Sequence, residues 1–234
     1  HMLAGVVYED MKQYDVKHIT NFDPNTGVYL GSTQDISSWG NWNRDADRYI
    51  FAAYIQDEWK IQDNLILTTG VRYDHYNDFG DTTNPRLGLV WSFLENADLK
   101  LLYGQAFRAP NFVELYNDNN PVVMGNPDLG PEKIKSYEAS LGYRFSDKIR
   151  IDLNYFYNDM NDLIVRNTST SPATYSNLGE AEIDGIEMVL SGNYSYDNYW
   201  KITYSWQDPK DSITDERLPF VPLHRAAGSI NHGL

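Results

Sequence analysis

A polar stretch in the middle of the chain concentrates carboxylates that could bind a metal ion. Glu114, Asp118, Asp128 and Glu132 lie there among several asparagines. Oxygen ligands of this kind suit hard cations such as Ca²⁺. A polar loop exposed to water is the simpler explanation of the same residues. The sequence therefore predicts no metal site, and none of its motifs requires a cofactor.

The histidines and serines give little support for catalysis. The histidines are far apart in sequence, and the Gly-x-Ser-x-Gly, His-Glu-x-x-His and phosphate-loop motifs are absent. Ser229 and His232 are one pairing that a hydrolase could use, since some membrane barrels are esterases or lipases. Nothing in their spacing favours that reaction. We predict that the chain is not an enzyme and has no catalytic residue, with an outer-membrane-type hydrolase as an alternative.

The same central stretch carries residues suited to fixing a long loop. Arg108 and Pro110 stand at its start, and Pro127 and Glu132 stand at its end. We interpret these four residues, with Glu138, as loop anchors at the rim of a barrel, where Arg108 pairs with Glu132 or Glu138. Aromatic residues nearby could contact a ligand, although membrane-interface aromatics are the simpler account: Tyr103, Phe107, Phe112 and Tyr116.

Alternation of apolar and polar residues identifies the elements that carry these side chains as β-strands. Leu65, Leu67, Val71 and Tyr73 alternate with polar or small residues in the clearest segment, residues 64–74. The sequence predicts about ten strands, which form an all-β, antiparallel, up-and-down transmembrane β-barrel. Comparable segments begin near residues 49, 87, 99, 137, 149, 183 and 200, residues 162–166 and 173–178 extend a hairpin, and residues 3–15 and 225–234 are weaker edge candidates.

Short and long connections alternate along the chain. Short connections fall near residues 62–63, 94–96 and 146–147, and long ones span residues 15–47 and 109–133, with others of each kind further on. Outer-membrane barrels have short turns on one side and long loops on the other. A soluble sandwich does not require that asymmetry.

Composition narrows the function classes. The mean hydropathy is −0.54 and no run of about 18 apolar residues exists, which excludes a membrane-spanning helix. Aromatic residues make up 14% of the chain, which fits the interface belts of membrane barrels and equally fits a tyrosine-rich soluble sandwich or barrel. The net charge of −14 argues against a nucleic-acid partner. The absence of cysteine excludes disulfides and thiol chemistry.

The two faces of the predicted strands have different environments in a membrane. A charged side chain costs about 2–4 kcal/mol on the lipid face at the midplane, so the charged face must line the lumen. We therefore expect Leu67, Val71, Leu101, Leu141, Leu153 and Ile202 to face lipid, and Arg72, Arg86, Glu138, Arg144 and Lys201 to face the lumen.

Two stretches that follow one another along the chain resemble a known family. Gly104-x-x-Phe107-Arg108-Ala109-Pro110 ends a strand, and Asn126-Pro127-x-Leu129-x-Pro131-Glu132 begins the next. This arrangement resembles the TonB-dependent receptors, the gated importers of the bacterial outer membrane. Weaker matching pieces extend the resemblance from about Ile50 to Ala227, among them a mid-barrel hairpin near residues 54–74.

The resemblance implies a bacterial outer-membrane location and contact with outer-membrane lipid or detergent. In the parent receptor it implies uptake of a nutrient such as an iron chelate (siderophore) or cobalamin, driven by a TonB-type partner. The plug domain and the TonB-binding box of the family are not recognisable in this chain. We therefore expect residues 1–234 to form a single β-barrel domain, a fragment of a larger receptor barrel, that does not carry out gated transport itself. His1-Met2 is expected to be a cloning scar.

Two further expectations complete the prediction. Since an open sheet would leave two edges unpaired in lipid, we expect closure, with residues 3–15 paired to the strand that begins near Arg225. The resulting barrel would have a narrow lumen. A soluble β-barrel that binds a hydrophobic ligand is a further alternative.

Overall fold

A computed structural model describes residues 1–195 and 198–232, and most of these residues lie in β-strands. The all-β prediction is therefore confirmed. The elements are β1 (Met2–Gln13), β2 (Ile19–Phe22), β3 (Tyr29–Asp35), α1 (Ser37–Gly40), β4 (Ala46–Gln62), β5 (Leu65–Tyr76), β6 (Gly80–Leu94), β7 (Ala97–Arg108), α2 (Phe112–Tyr116), β8 (Val123–Met124), β9 (Glu132–Ser146), β10 (Ile149–Asn167), β11 (Ala173–Ser195), β12 (Asn198–Asp211) and β13 (His224–Asn231).

The large strands form one antiparallel up-and-down sheet in the order β1-β4-β5-β6-β7-β9-β10-β11-β12-β13. The short strand β8 joins the start of β11 in parallel, and β2 and β3 form a separate hairpin. The turns at residues 63–64, 95–96 and 147–148 define a short-turn side of the sheet. The connections at residues 14–45, 109–131 and 212–223 define its long-loop side.

The expected closure of the sheet is wrong. Within the described residues, β1 pairs only with β4, and β13 pairs only with β12. The strand that begins near Arg225 therefore does not meet residues 3–15. Closure depends on the small rotation and shear between neighbouring strands, which decide how many strands complete a circle. The prediction of a narrow lumen assumed that about ten strands close the barrel, so the open sheet does not support that prediction.

The strand register gives the sheet one apolar and one polar face. Leu99, Leu141 and Leu153 lie directly opposite one another, and Ser140 and Asn154 lie opposite in the next row. The residues expected to face lipid share the apolar face, and the charged residues share the polar face. The apolar set is Leu67, Val71, Leu101, Leu141, Leu153 and Ile202, and the charged set is Arg72, Arg86, Glu138, Arg144 and Lys201.

Glycines allow long side chains to lie flat on the polar face. A Cβ atom at Gly70 would be 3.0 Å from Nε of Arg86, and one at Gly142 would overlap the guanidinium of Arg150. Arg150 lies across Gly142 because its Nη2 donates to Asp98 Oδ1 at 3.0 Å. Glycine at these two positions leaves room for the arginine side chains, and neither position has a backbone conformation that favours glycine.

Short elements give the long connections a structure that the strand pattern alone does not predict. The helix α2 begins at a capping box, in which the Glu114 amide donates to Asn111 Oδ1 at 2.9 Å and the Asn111 amide donates to Glu114 Oε2 at 2.8 Å. The predicted extension of the β10–β11 hairpin is confirmed by pairing from Leu163 to Asn167. No helix among the described residues is long and apolar enough to cross a membrane.

Candidate functional site

The connection of residues 109–131, named here the rim loop, folds back over the polar face at the long-loop side. Arg48 of β4 reaches it and donates from Nη2 to the carbonyl oxygen of Pro110 at 2.8 Å. Leu115 of the rim loop is 1% exposed. The buried polar-face residues of the neighbouring strands cluster at this end of the sheet: Arg48, Ile50, Ala52, Asp74 and Thr82.

A buried ion pair holds this contact in place. Asp78 Oδ2 accepts from Arg48 Nε at 2.8 Å and lies 2.6 Å from Nη2, and the two side chains are 2% and 8% exposed. The guanidinium also stands 5.0 Å from the ring centroid of Phe112 and 5.4 Å from that of Phe79, which are cation–π distances. Oδ1 of Asp78 is buried without a hydrogen-bond partner among the described residues. Within the part of the chain that the structure describes, the carboxylate is thus held by Arg48.

A second arginine fastens both ends of the rim loop. Arg108 binds Glu132 through Nε at 2.5 Å and Nη2 at 2.6 Å, and it binds Glu114 through Nη1 at 3.0 Å and Nη2 at 3.1 Å. Glu132 also accepts the backbone amide of Ile164 at 2.8 Å. Since both carboxylates are bound by the planar guanidinium in a forked geometry, Arg108 joins β7, β9, β10 and α2.

The returning half of the rim loop is bound to β11. Asn126 Nδ2 donates to the carbonyl oxygen of Tyr175 at 2.9 Å. The Gly130 amide donates to Asn177 Oδ1 at 2.9 Å, and Asn177 Nδ2 donates back to the Gly130 carbonyl oxygen at 3.0 Å. Leu129 between these contacts is 2% exposed. The loop is thus tied to the sheet along its length, as a binding surface with a fixed shape requires.

A cleft of about 500 Å³ opens between the rim loop and the first strands. The Arg44 guanidinium lies 4.7 Å from the ring centroid of Tyr116 at its wall. Burial, with the nearby charge of Asp78, raises the pKa of the Tyr116 hydroxyl above its usual value. The lining carries charges of both signs and is formed by Arg44, Asp45, Ala46, Asp47, Asn77, Asp78, Tyr116 and Pro127.

The residues expected in the lumen occupy two levels of the polar face. Arg72 binds Asp74 at 2.7 Å, and Arg86 donates to Gln56. Both arginines line a cavity of about 300 Å³ near the middle of β5 and β6. Arg144 and Lys201 lie nearer the short-turn side, opposite Arg150 and Ser191 respectively.

The structure separates Glu138 from the other expected rim anchors. Arg108 lies opposite Glu132 at the end of β7, whereas Glu138 lies opposite Leu102 in mid-strand. Of the two carboxylates expected as partners for Arg108, the guanidinium contacts Glu132. Pro110, at the start of the rim loop, is fully buried, and Pro127 lines the cleft.

The candidate metal and catalytic residues do not assemble into sites. Glu114 and Glu132 are both bound to Arg108, and no metal-binding group of three or more His, Asp or Glu residues occurs in the described part of the chain. Nδ1 of His232 lies 3.1 Å from the Tyr194 hydroxyl, and Ser229 lies opposite Lys201.

Sequence reasoning missed the buried pair of Arg48 and Asp78. Arg48 belongs to the polar face of β4, where an arginine at a strand end is expected to meet water. Asp78 lies in a tight turn, where aspartate is common for reasons of backbone conformation. The contact between the rings of Tyr76 and Phe79, 4.3 Å between centroids and beside the Arg48 guanidinium, has no sequence signal either.

Comparison with known proteins agrees with this architecture. The family model described as "TonB dependent receptor-like, beta-barrel" matches residues 2–233. The chain is 33% identical over 159 residues to an iron-regulated outer membrane virulence protein of Vibrio cholerae, covering 60% of this chain and 24% of that protein.

Solved structures give the same answer. The siderophore receptor PirA of Pseudomonas aeruginosa is 26% identical, with a TM-score of 0.64 over 71% of this chain and 33% of its own. The ferric enterobactin receptor PfeA of the same organism is 21% identical, with a TM-score of 0.80 over 98% of this chain and 36% of its own. The latter likeness concerns the fold alone.

The chain thus spans 24% of the curated relative and 33–36% of these two solved receptors. The match over nearly the whole chain, together with the antiparallel sheet and its two unlike faces, establishes that this chain belongs to the β-barrel part of the TonB-dependent receptor family of the bacterial outer membrane.

Proposed function

We propose that this sheet is part of the wall of an outer-membrane importer for ferric siderophores. The names of its relatives, an iron-regulated outer membrane protein and a siderophore receptor, support this ligand class. The observation that carries the proposal is the rim loop, which Arg48 and Arg108 hold over the polar face. An importer needs a fixed surface at the outer mouth of an aqueous passage.

In this proposal the polar face lines the lumen. Arg72, Arg86, Arg144 and Lys201 would then contact water, and the apolar face would contact lipid. Arg108, Pro110, Pro127 and Glu132 shape the outer mouth, and the cleft beside Arg44 and Tyr116 forms one part of the vestibule. The whole of residues 1–234 acts as a single domain of the barrel type.

We further propose that these strands do not gate transport by themselves. Gating needs an element that blocks the lumen and moves on demand, whereas the residues described here form a wall and its loops. The TonB-type partner would act on the complete receptor, and not on this sheet. In this proposal the chain forms part of the passage for the ligand and does not act as an enzyme.

Ligand binding tests the first proposal. Detergent-solubilised protein is titrated with one catecholate and one hydroxamate ferric siderophore, and tryptophan and tyrosine fluorescence is recorded. Saturable quenching by at least one of them is expected, and Arg44→Ala should weaken it. Lys60→Ala, at the short-turn side with its side chain 64% exposed, is the matched control and should leave it unchanged. Absence of saturable quenching by either ligand would count against the proposal.

Uptake of radioactive iron tests the second proposal. Cells that express this chain as their sole receptor for the siderophore should take up no more iron with TonB than without it. The chain must first be shown in the outer membrane of those cells by fractionation. Uptake that depends on TonB would overturn the proposal that the sheet does not gate transport.

A further inference from the structure

The buried side-chain atoms that lack a hydrogen-bond partner in the described part of the chain all lie beside the rim loop. They are Nε1 of Trp42, Oδ1 of Asn43 and Oδ1 of Asp78. The carbonyl oxygen of Trp42 accepts the amide of Asp118 in the rim loop at 2.7 Å, so this segment lies against that loop. Because buried polar atoms are normally hydrogen-bonded, such a group of atoms points to a partner from outside the chain.

Asp78 connects these atoms with the cleft, because it is one of the residues that line the cleft. Its side chain is only 2% exposed, and its Oδ2 is bound by Arg48. Oδ1 is therefore the oxygen that is left for another donor. A hydrogen-bond donor held in the cleft would satisfy this oxygen while the ion pair with Arg48 stays intact.

The charges of the cleft favour a donor that is also a cation. Asp45 and Asp47 line the cleft together with Arg44. The charge of Asp78 is balanced by Arg48, so two carboxylates remain against one guanidinium. Asp45 accepts one backbone amide at 3.2 Å, and Asp47 makes no hydrogen bond or ion pair with the residues that the structure describes. Both carboxylates are thus available to a positively charged ligand.

The Tyr116 ring gives the cleft an aromatic wall. The Arg44 guanidinium already lies 4.7 Å from its centroid, which shows that a cation can approach this ring. Burial and the negative charges of Asp78 and Asp47 raise the pKa of the Tyr116 hydroxyl, so both carboxylates act at this wall. A metal ion fits less well, because no group of three or more His, Asp or Glu residues in the described ranges could hold one.

We infer that the cleft binds a protonated amine, and that the ligand of this receptor wall is a ferric chelate with a free ammonium group. The ammonium donates to Oδ1 of Asp78 and pairs with Asp45 and Asp47. Arg44, on the wall beside Tyr116, is left for the oxygen atoms of the chelate. The inference rests on the proposed import of ferric siderophores, and it selects one class among them.

A matched pair of ligands tests the inference. Ferrioxamine B carries one terminal ammonium group, and its N-acetyl derivative is the same ferric chelate without that charge. Titration calorimetry of the detergent-solubilised protein should show at least about tenfold tighter binding of ferrioxamine B, because a hydrogen bond to a charged group is lost on acetylation. Equal and saturable binding of the two chelates, or saturable binding of a catecholate chelate alone, would overturn the inference and leave the siderophore proposal standing. Binding of no chelate at all would overturn both.

Two variants assign the ammonium to this cleft. Asp47→Asn removes a carboxylate that holds no other described residue, so it should reduce the affinity ratio to about threefold or less while the rim loop stays closed to limited proteolysis. Asp63→Asn is the matched control at the short-turn side, where the side chain is fully exposed, and it should keep the ratio of the parent chain. A ratio that Asp47→Asn leaves unchanged would overturn the placement of the ammonium in the cleft.

Discussion

Replacement of Arg48 by methionine should release the rim loop, because Arg48 is the partner that the described residues provide for the buried carboxylate of Asp78. Asp78 is 2% exposed and Arg48 is 8% exposed, so water screens their attraction little. Removal of one member of a buried ion pair costs about 3–5 kcal/mol, since the remaining charge stays buried and unpaired. The hydrogen bond to Pro110 is lost at the same time. At about 1.4 kcal/mol per factor of ten, opening of the loop should become at least about 100-fold more frequent.

Hydrogen exchange measured by mass spectrometry reports that opening. The amides of Leu115 and Asn117 donate to the carbonyl oxygens of Asn111 and Val113 at 3.1 Å each, and the amide of Gly125 donates to the Asn117 carbonyl oxygen at 2.7 Å. A peptide that covers residues 112–126 should therefore exchange at least about 100-fold faster in Arg48→Met. A peptide from the middle of β10 should keep its rate, because the sheet remains paired.

Two further variants serve as a rescue and as a control for Arg48→Met. Arg48→Met with Asp78→Leu removes both charges, so it should return most of the lost protection. Lys17→Met breaks an ion pair whose side chains are 50% and 69% exposed, and it should leave the rim-loop peptide unchanged. Unchanged exchange in Arg48→Met, or a double variant as unstable as the single one, would show that the buried pair does not hold the loop.

Three other substitutions test the rest of the architecture. Arg108→Gln should reduce the free energy that holds the rim loop closed by only about 1 kcal/mol, because Arg108 is 44% exposed. Limited proteolysis within residues 109–131 should therefore be faster than in the parent chain and slower than in Arg48→Met. Gly125→Ala would bring a Cβ within 2.5 Å of the Asn117 amide nitrogen, so the rim loop should lose about 1–3 kcal/mol, visible as faster exchange of the same peptide. Leu141 lies midway between Tyr137 and Phe145 on the apolar face. Leu141→Arg should therefore make the free energy of folding into lipid less favourable by about 2–4 kcal/mol, as measured by urea titration in liposomes. Ser140→Arg, on the polar face, should change it much less.

The face of each strand residue could be predicted from the sequence because it depends only on local geometry. Successive side chains of a strand point to opposite sides, so the alternation around Val71 and Arg72 fixes their faces before any neighbour is known. Antiparallel pairing then carries the same assignment from strand to strand, as the rows of Leu99, Leu141 and Leu153 show. The short turns and long loops, and the family itself, could be read in the same way from residues close together in the chain.

Closure and the rim loop were decided only by the tertiary structure. Whether β1 meets β13 depends on a small rotation and shear repeated at every strand pair, and no single segment encodes that sum. The pairing of Arg108 with Glu132, and not Glu138, follows from a register set across two strands. Arg48 and Asp78 meet because a turn, a strand and a loop converge, although the residues are 30 positions apart. The sequence by itself determined which side chains face together, whereas the tertiary structure alone decided which distant side chains bind one another, because those contacts depend on the packing of the whole sheet.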